Sequence, residues 1–276
     1  MINLPVNPLV NWGSRRIKKN KNILAVVNGP TGSGKTYATL SVALKFAKIH
    51  NTPFSIKNNL DFDFQRLNKK MGLPQNRRPG TVFVFEEVGA IGGGASSREW
   101  QSKANRLFFS FTQTSRHLNQ ILIMTCPSFK FLEYGARSLV HLQMNMESID
   151  YVNREALLSY FLLQTNTVTG KIYFKRQRVI YKGVRHKIKY IKVPHPPEDL
   201  AKEYEKAKKS YSNSLKRQIS ESKTIKLRSS NINTLEVQKL KDAGFRAPEI
   251  AKYLGVTPRA VNLHIQRNRE EQKIGE

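Results

Sequence analysis

Gly29-Pro30-Thr31-Gly32-Ser33-Gly34-Lys35-Thr36 satisfies the pattern G-x-x-x-x-G-K-[ST] at every fixed position. Just ahead of it, Ile23-Leu24-Ala25-Val26-Val27 is a short apolar run that predicts a buried parallel strand. Just behind it, residues 37–49 predict a helix with Leu40, Val42, Ala43, Leu44, Phe46 and Ala47 on its buried side. The order strand, glycine loop, helix suits a triphosphate: Gly29, Gly32 and Gly34 let the chain bend so that backbone N–H groups surround it. In this pattern Lys35 reaches the β- and γ-phosphates, the Thr36 hydroxyl takes a Mg²⁺ position, and the helix N-terminus adds favourable partial charge. The implied ligands are ATP and Mg²⁺, held by residues 29–36.

A second strand, Thr81-Val82-Phe83-Val84-Phe85, ends in Glu86-Glu87. Apolar residues followed by acids resemble the second acidic motif of a P-loop NTPase, which assigns Glu86 to the Mg²⁺ shell and Glu87 to the attacking water. The first acid of that motif is more often Asp. Residues 89–97 are rich in glycine and serine and suit a switch-like loop beside the acids. Residues 98–119 predict a helix whose polar residues, Arg116 among them, either approach the nucleotide or form a solvated face. Ile121-Leu122-Ile123-Met124 predicts a third buried strand, ending at Thr125-Cys126-Pro127-Ser128. That end either senses the γ-phosphate or is a plain strand terminus. Residues 138–142 predict a further strand.

The chain has 276 residues, and 47 basic against 20 acidic residues leave a formal charge of +27. Such a balance points to a polyanionic partner, nucleic acid before an anionic membrane surface. The single cysteine, Cys126, excludes an intramolecular disulfide framework and suits a reducing compartment. No apolar stretch approaches the roughly 20 residues of a bilayer span. The N-terminal residues lack a signal peptide's charged start and apolar centre, so a soluble, cytoplasmic protein is expected.

The loop 29–36, the strand ending in Glu86-Glu87, the segment Thr114-Ser115-Arg116-His117 and the strand end Thr125-Cys126-Pro127-Ser128 together resemble the FtsK/HerA class of DNA-pumping ATPases. Within that class the likeness is to ATPases of archaeal viruses and plasmids. These are similar to poxvirus-type genome-packaging ATPases and, more distantly, to zonula-occludens-toxin-like phage morphogenesis proteins. The resemblance covers roughly residues 22–141. It implies a homo-oligomeric ring, usually of six subunits, that threads double-stranded DNA while hydrolysing ATP at subunit boundaries. It also implies an arginine donated by a neighbouring subunit, for which Arg137 or Arg116 are the choices. Family members often carry Gln where this chain has Cys126.

Outside the core, residues 5–13 read as irregular, and Arg15-Arg16-Ile17-Lys18-Lys19 as either a phosphate contact or a solvated lead-in. Residues 54–56 suggest an edge strand and residues 62–71 a helix. Residues 157–164 and 171–181 predict a β-hairpin around Thr167-Val168-Thr169-Gly170, with residues 185–193 as a third strand. Lys171, Lys175, Arg176, Arg178, Lys182, Arg185, Lys187, Lys189 and Lys192 fall there without an acid. That charge favours DNA contact over mere protection of a sheet edge. Residues 198–210 read as a charged helix. Residues 212–230 hold six serines, five Lys or Arg and one Glu, the composition of a flexible linker. Beyond them, helices over 234–243 and 247–254, a turn at Gly255-Val256, and a helix capped by Thr257 with Pro258 first resemble a helix-turn-helix unit. Its second helix offers Thr257, Arg259, Asn262, His264 and Gln266 to a DNA groove.

The expected architecture is therefore α/β: a P-loop NTPase core with a mostly parallel sheet over 1–150, a basic β-rich extension and charged helix over 151–210, a linker over 211–230, and a small all-α helix-turn-helix domain over 231–276. The expected activity is Mg²⁺-dependent ATP hydrolysis driving DNA translocation, genome packaging or transfer. The alternatives are an ATP-switched, sequence-specific DNA-binding regulator or a toxin-like virion assembly ATPase.

Overall fold

The apolar runs at Ile23–Asn28 (β1), Val82–Phe85 (β3) and Ile121–Cys126 (β4) are buried at every residue, the mark of parallel strands covered on both faces. The computed structural model describes residues 8–86, 118–230, 234–263 and 265. The chain divides into two units, Met1–Lys209 and Ser210–Glu276.

In the first unit a short strand, Leu60–Asp61 (β2), lies beside β3, and Leu142–Asp150 (β5) lies beside β1. These five strands are parallel, in the order β5-β1-β4-β3-β2. Side chains alternate between faces. Leu24, Val26, Phe83, Phe85, Leu122 and Met124 share one core cluster with Phe64, Leu67 and Met71 of the helix Phe64–Gly72 (α4). The helix Lys35–Ile49 (α2) is buried continuously from Ala38 to Ala43.

The sheet then continues antiparallel through Glu155–Thr165 (β6) and Tyr190–Pro194 (β10), with Ile172–Lys175 (β7) also on β6. Within the extension expected over 151–210, β6, β7 and β10 thus join the core sheet, β6 pairing with β5 in one hairpin. The hairpin turn at residues 166–171 lies where the sequence places it. The long strands expected on either side of 182–184 are each interrupted, leaving β7, Arg178–Tyr181 (β8), Val184–Lys187 (β9) and β10. At the first break Gln177 turns inward to accept from the Tyr160 hydroxyl (2.8 Å) and donate to Pro8 O (2.9 Å), and at the second Ile188 N donates to Gln177 O (2.8 Å). β8 and β9 form a two-stranded sheet of their own.

Four further local readings are corrected. Residues 8–13 are not irregular but open the helix Pro8–Lys18 (α1). Gly13 lets it approach so closely that a Cβ there would meet Phe46 Cε1 at 2.3 Å, and that tertiary packing outweighs its low helix propensity. Residues 54–56 form no strand: Ser55 caps the short helix Ile56–Asn59 (α3). The strand expected at 138–142 begins only at Leu142, because residues 134–138 form the helix Tyr134–Ser138 (α5). The stretch 211–230 is helical, as part of Glu198–Ser230 (α6), a run with neither Gly nor Pro to stop it.

The second unit holds Thr234–Asp242 (α7), Ala247–Leu254 (α8) and helical residues 258–263, with Val237, Ile250, Ala251 and Val261 buried together. Gly255 closes α8 in the left-handed conformation (φ 64°), and Thr257 Oγ1 accepts from Ala260 N at 3.3 Å to cap the next helix. Among the described residues no helix is long and apolar enough to cross a membrane.

Candidate active site

Because β4 is inserted between β1 and β3, the ends of all three strands converge below the glycine loop. Gly32 and Gly34 hold φ of 78° and 74°, a region costly for any residue with a Cβ, and Gly34 is the residue from which α2 starts. Gly29 and Pro30 open the turn, and Pro30 O accepts from Ser33 N (3.2 Å) and from Lys35 Nζ (2.8 Å). β1 ends at Asn28, whose side chain donates to Asn145 Oδ1 (2.9 Å) and accepts from Cys126 Sγ (3.0 Å). Asn145 in turn donates to Ser159 Oγ at 3.4 Å, so a polar row crosses β4, β1, β5 and β6 under the loop.

The Thr36 hydroxyl donates to Glu86 Oε1 across 50 residues of sequence. Glu86 is 1% exposed, its Oε2 accepts from Thr125 Oγ1 at 3.0 Å, and its backbone N–H donates to Asp61 O at 3.1 Å. A buried carboxylate of this kind demands hydrogen-bonding partners, and the loop's threonine and the strand-end threonine supply them. The glycine loop thus joins β1 to α2 at the end of a mostly parallel α/β sheet. Lys35, Thr36, Glu86, Thr125 and Cys126 line one cavity of about 470 Å³ with loop residues Thr31 to Gly34. Hydroxyl and carboxylate oxygens next to a phosphate loop are the hard donors that Mg²⁺ takes, so Thr36 and Glu86 fit that ion.

At the end of β4, Thr125 rather than Cys126 reaches the acid. Burial pushes the Cys126 thiol up to about 12, opposed by the charge of Lys35. It serves the polar row under the loop.

Sequence reasoning missed the first turns of α6. Tyr204, 1% exposed, donates its hydroxyl to Glu86 Oε1 at 3.3 Å, and Glu205 accepts from the Tyr37 hydroxyl at 2.8 Å. Tyr204, Glu205 and Lys208 complete the cavity wall. No sequence signal marks Tyr204, which sits among lysines and glutamates in a helix that reads as solvated. Asn28 was findable, as a polar residue closing an apolar strand next to a glycine loop.

Arg137 does not line this cavity. It lies in α5, ahead of β5 and so at the end of the sheet opposite the loop, with its guanidinium 5.8 Å from the Tyr134 ring. Glu87, Arg116, His264 and Gln266 lie outside the described residues, as do the loop expected at 89–97 and most of the helix expected at 98–119. Thr257, Arg259 and Asn262 are exposed on the second unit.

No protein-family model and no curated protein matches the chain. Among solved structures, the N-terminal domain of zonular occludens toxin from Neisseria meningitidis is similar at 16% identity and TM-score 0.34, over 56% of this chain and 93% of that one. A KaiC-like protein from Pyrococcus horikoshii OT3 gives 10% and 0.35 over 63% and 90%. The genome packaging NTPase of Sulfolobus turreted icosahedral virus 2, in complex with AMP, gives 11% and 0.32 over 56% and 97%. At such identities and TM-scores, the reading of the site rests on the chain's own geometry.

Proposed function

We propose that the protein is a Mg²⁺-dependent ATPase that moves double-stranded DNA, as in genome packaging or transfer of a mobile element. The observation that carries the hydrolytic part is the joining of Thr36 and Thr125 to one buried carboxylate, Glu86, at the foot of the phosphate loop. The loop N–H groups and Lys35 bind and orient the phosphates, and Thr36 and Glu86 hold the cation. A Mg²⁺ held by Thr36 and Glu86 would supply charge neutralisation for the phosphates. Glu87, the next residue, orients the attacking water, and an arginine from a neighbouring subunit of a ring, Arg137 or Arg116, meets the transition-state charge.

Three features support a DNA substrate. The net charge is +27. The β7 to β9 region is basic and carries exposed Tyr173, Phe174, Ile180 and Val184 among its lysines and arginines. The second unit presents Thr257, Arg259 and Asn262 from a helix that follows a glycine turn, a geometry suited to a groove. That surface also supports a second reading, a regulator whose site-specific DNA binding is switched by ATP.

The test is ATP turnover with and without long linear duplex DNA, with Lys35→Ala as inactive control. Stimulation that grows with duplex length is the expected result. Turnover indifferent to DNA, with tight binding to one sequence, overturns the motor and leaves the regulator.

A further inference from the structure

A second cavity, of about 410 Å³, adjoins the first across the glycine loop, and Gly32, Gly34 and Tyr37 line both. Its far wall is the tip of the β5–β6 hairpin, with Ile149, Tyr151 and Ala156, and its floor is the end of β10, with Val193 and His195. We infer that this cavity is the nucleoside subsite: the base and ribose of the bound triphosphate sit between Tyr37, His195 and the hairpin tip. The inference rests on the triphosphatase reading above and adds where the non-phosphate half of the substrate goes.

The direction of the phosphate chain decides between the two cavities. Lys35, Thr36 and Glu86, the groups that grip the β- and γ-phosphates and the cation, all line the first cavity and none lines the second. A triphosphate whose γ-end is held there crosses Gly34 and delivers its α-phosphate, with the nucleoside attached, on the other side of the loop.

The chemistry of the second cavity suits a planar heterocycle. Tyr37 and His195 pack against each other with ring centroids 4.9 Å apart, an aromatic wall whose members are each held by a hydrogen-bonding neighbour. The Tyr37 hydroxyl is tied to Glu205, and the imidazole Nδ1 of His195 lies 3.2 Å from Arg154 Nη2 and 2.7 Å from Pro196 O. Opposite stands Ile149, whose Cδ1 lies 2.9 Å from where a Cβ on Gly34 would be, so the apolar side begins at the loop itself. Tyr151 is 79% exposed at the hairpin tip, a large ring beside an open cavity and able to cover a base from the solvent side. Asp150, Arg154 and Glu155 also line the cavity, while the aromatic wall itself selects for stacking, which discriminates weakly between bases.

The experiment is calorimetric titration of the full chain with Mg-ATP, Mg-GTP and inorganic tripolyphosphate, the last having no nucleoside. In the wild type, ATP and GTP bind tighter than tripolyphosphate. Tyr151→Ala, which leaves the buried core untouched, and Ala156→Phe, which fills the cavity, each weaken both nucleotides about tenfold and leave tripolyphosphate binding unchanged. Equal affinities of the wild type for ATP and tripolyphosphate overturn the subsite, as do variants that weaken all three ligands alike or none. Failure of the wild type to bind any of the three overturns the triphosphatase reading itself, and the subsite with it.

Discussion

The Tyr204 hydroxyl donates to Glu86 Oε1 at 3.3 Å, joining α6 to the acid at the foot of the phosphate loop across 118 residues. Thr36 donates to the same oxygen and Thr125 to the other, so the carboxylate's orientation is shared among three hydroxyls from three elements. Under the proposed function, Tyr204 would be a positioning residue, acting on the cation through Glu86. Tyr204→Phe keeps the ring packing and removes the donor. The expected outcome is a fall in kcat of about 3- to 10-fold, the worth of one hydrogen bond to a charged group, with KM for ATP unchanged and a higher Mg²⁺ requirement. A merely structural role would lower thermal stability without moving the Mg²⁺ dependence.

Under the proposed function, Lys35→Ala removes the cation meant for the β- and γ-phosphates and leaves the loop backbone in place. ATP hydrolysis is expected to fall at least about 100-fold. Circular dichroism should show an unchanged fold, because Lys35 Nζ is bonded to Pro30 O at a solvent-facing site rather than within the core.

Gly34→Ala places a Cβ at φ 74°, 2.9 Å from Ile149 Cδ1. The left-handed conformation alone costs about 1–2 kcal/mol for a non-glycine residue. Urea denaturation is expected to show a loss of that size, accompanied by loss of nucleotide binding as the loop relaxes.

Asp61 is buried, and burial acts to raise its carboxyl, but the Asp63 backbone N–H, Lys70 and Arg66 outweigh this and hold it below the ordinary 3.8. A carboxyl depressed by folding binds fewer protons in the native state. Its stabilisation is therefore present above about pH 4 and lost as pH falls through the native value. Asp61→Asn should lower stability at pH 7 by about 1–3 kcal/mol and flatten the acid limb of the stability curve, read by urea melts from pH 7 to pH 3. Because Asp61 O receives the Glu86 N–H, activity should fall as well.

Burial raises the Cys126 thiol from 9.0 to about 12 and raises the Tyr160 phenol too. Above pH 9 the unfolded chain loses protons that the folded chain keeps. Stability is thus full below pH 9 and declines as pH rises from there towards 12. Denaturation at pH 7.5 and 10.5 should differ by about 1–2 kcal/mol from Cys126 alone, and Cys126→Ser should remove that share of the slope. At pH 7.5 the native thiol should react with maleimide far more slowly than the unfolded one.

Much of the core was legible because its signals are local. Residues 23–49 announce strand, loop and helix within one stretch, and the runs ending at Glu86 and Thr125 announce two more strands buried on both faces. Residues 8–18 were not legible: Gly13 weakens any helical reading, and only Phe46, folded against it, explains the glycine. Residues 211–230 misled in the other direction, since a serine- and lysine-rich composition suits a linker while the absence of Gly and Pro permits a helix. The Thr125-Cys126 pair left open which side chain serves the site. Parallel register beside β1 and β3 answers that, pointing Thr125 at Glu86 and Cys126 at Asn28.

The sequence alone determined the chemistry on offer: a loop that can wrap phosphates, acids at the end of a buried strand, and an excess of positive charge. These depend on residue type and short-range spacing, which fold in the same way wherever they sit in the chain. Only the tertiary structure decided which groups meet. The insertion of β4 between β1 and β3 brings Thr125 to Glu86, the pairing of β5 with β1 sets Asn145 under the loop, and α6 delivers Tyr204 to the same carboxylate. Hydrogen bonds across such separations follow from strand order and helix placement, which no local pattern encodes, and a buried charge selects the arrangement in which its oxygens are satisfied.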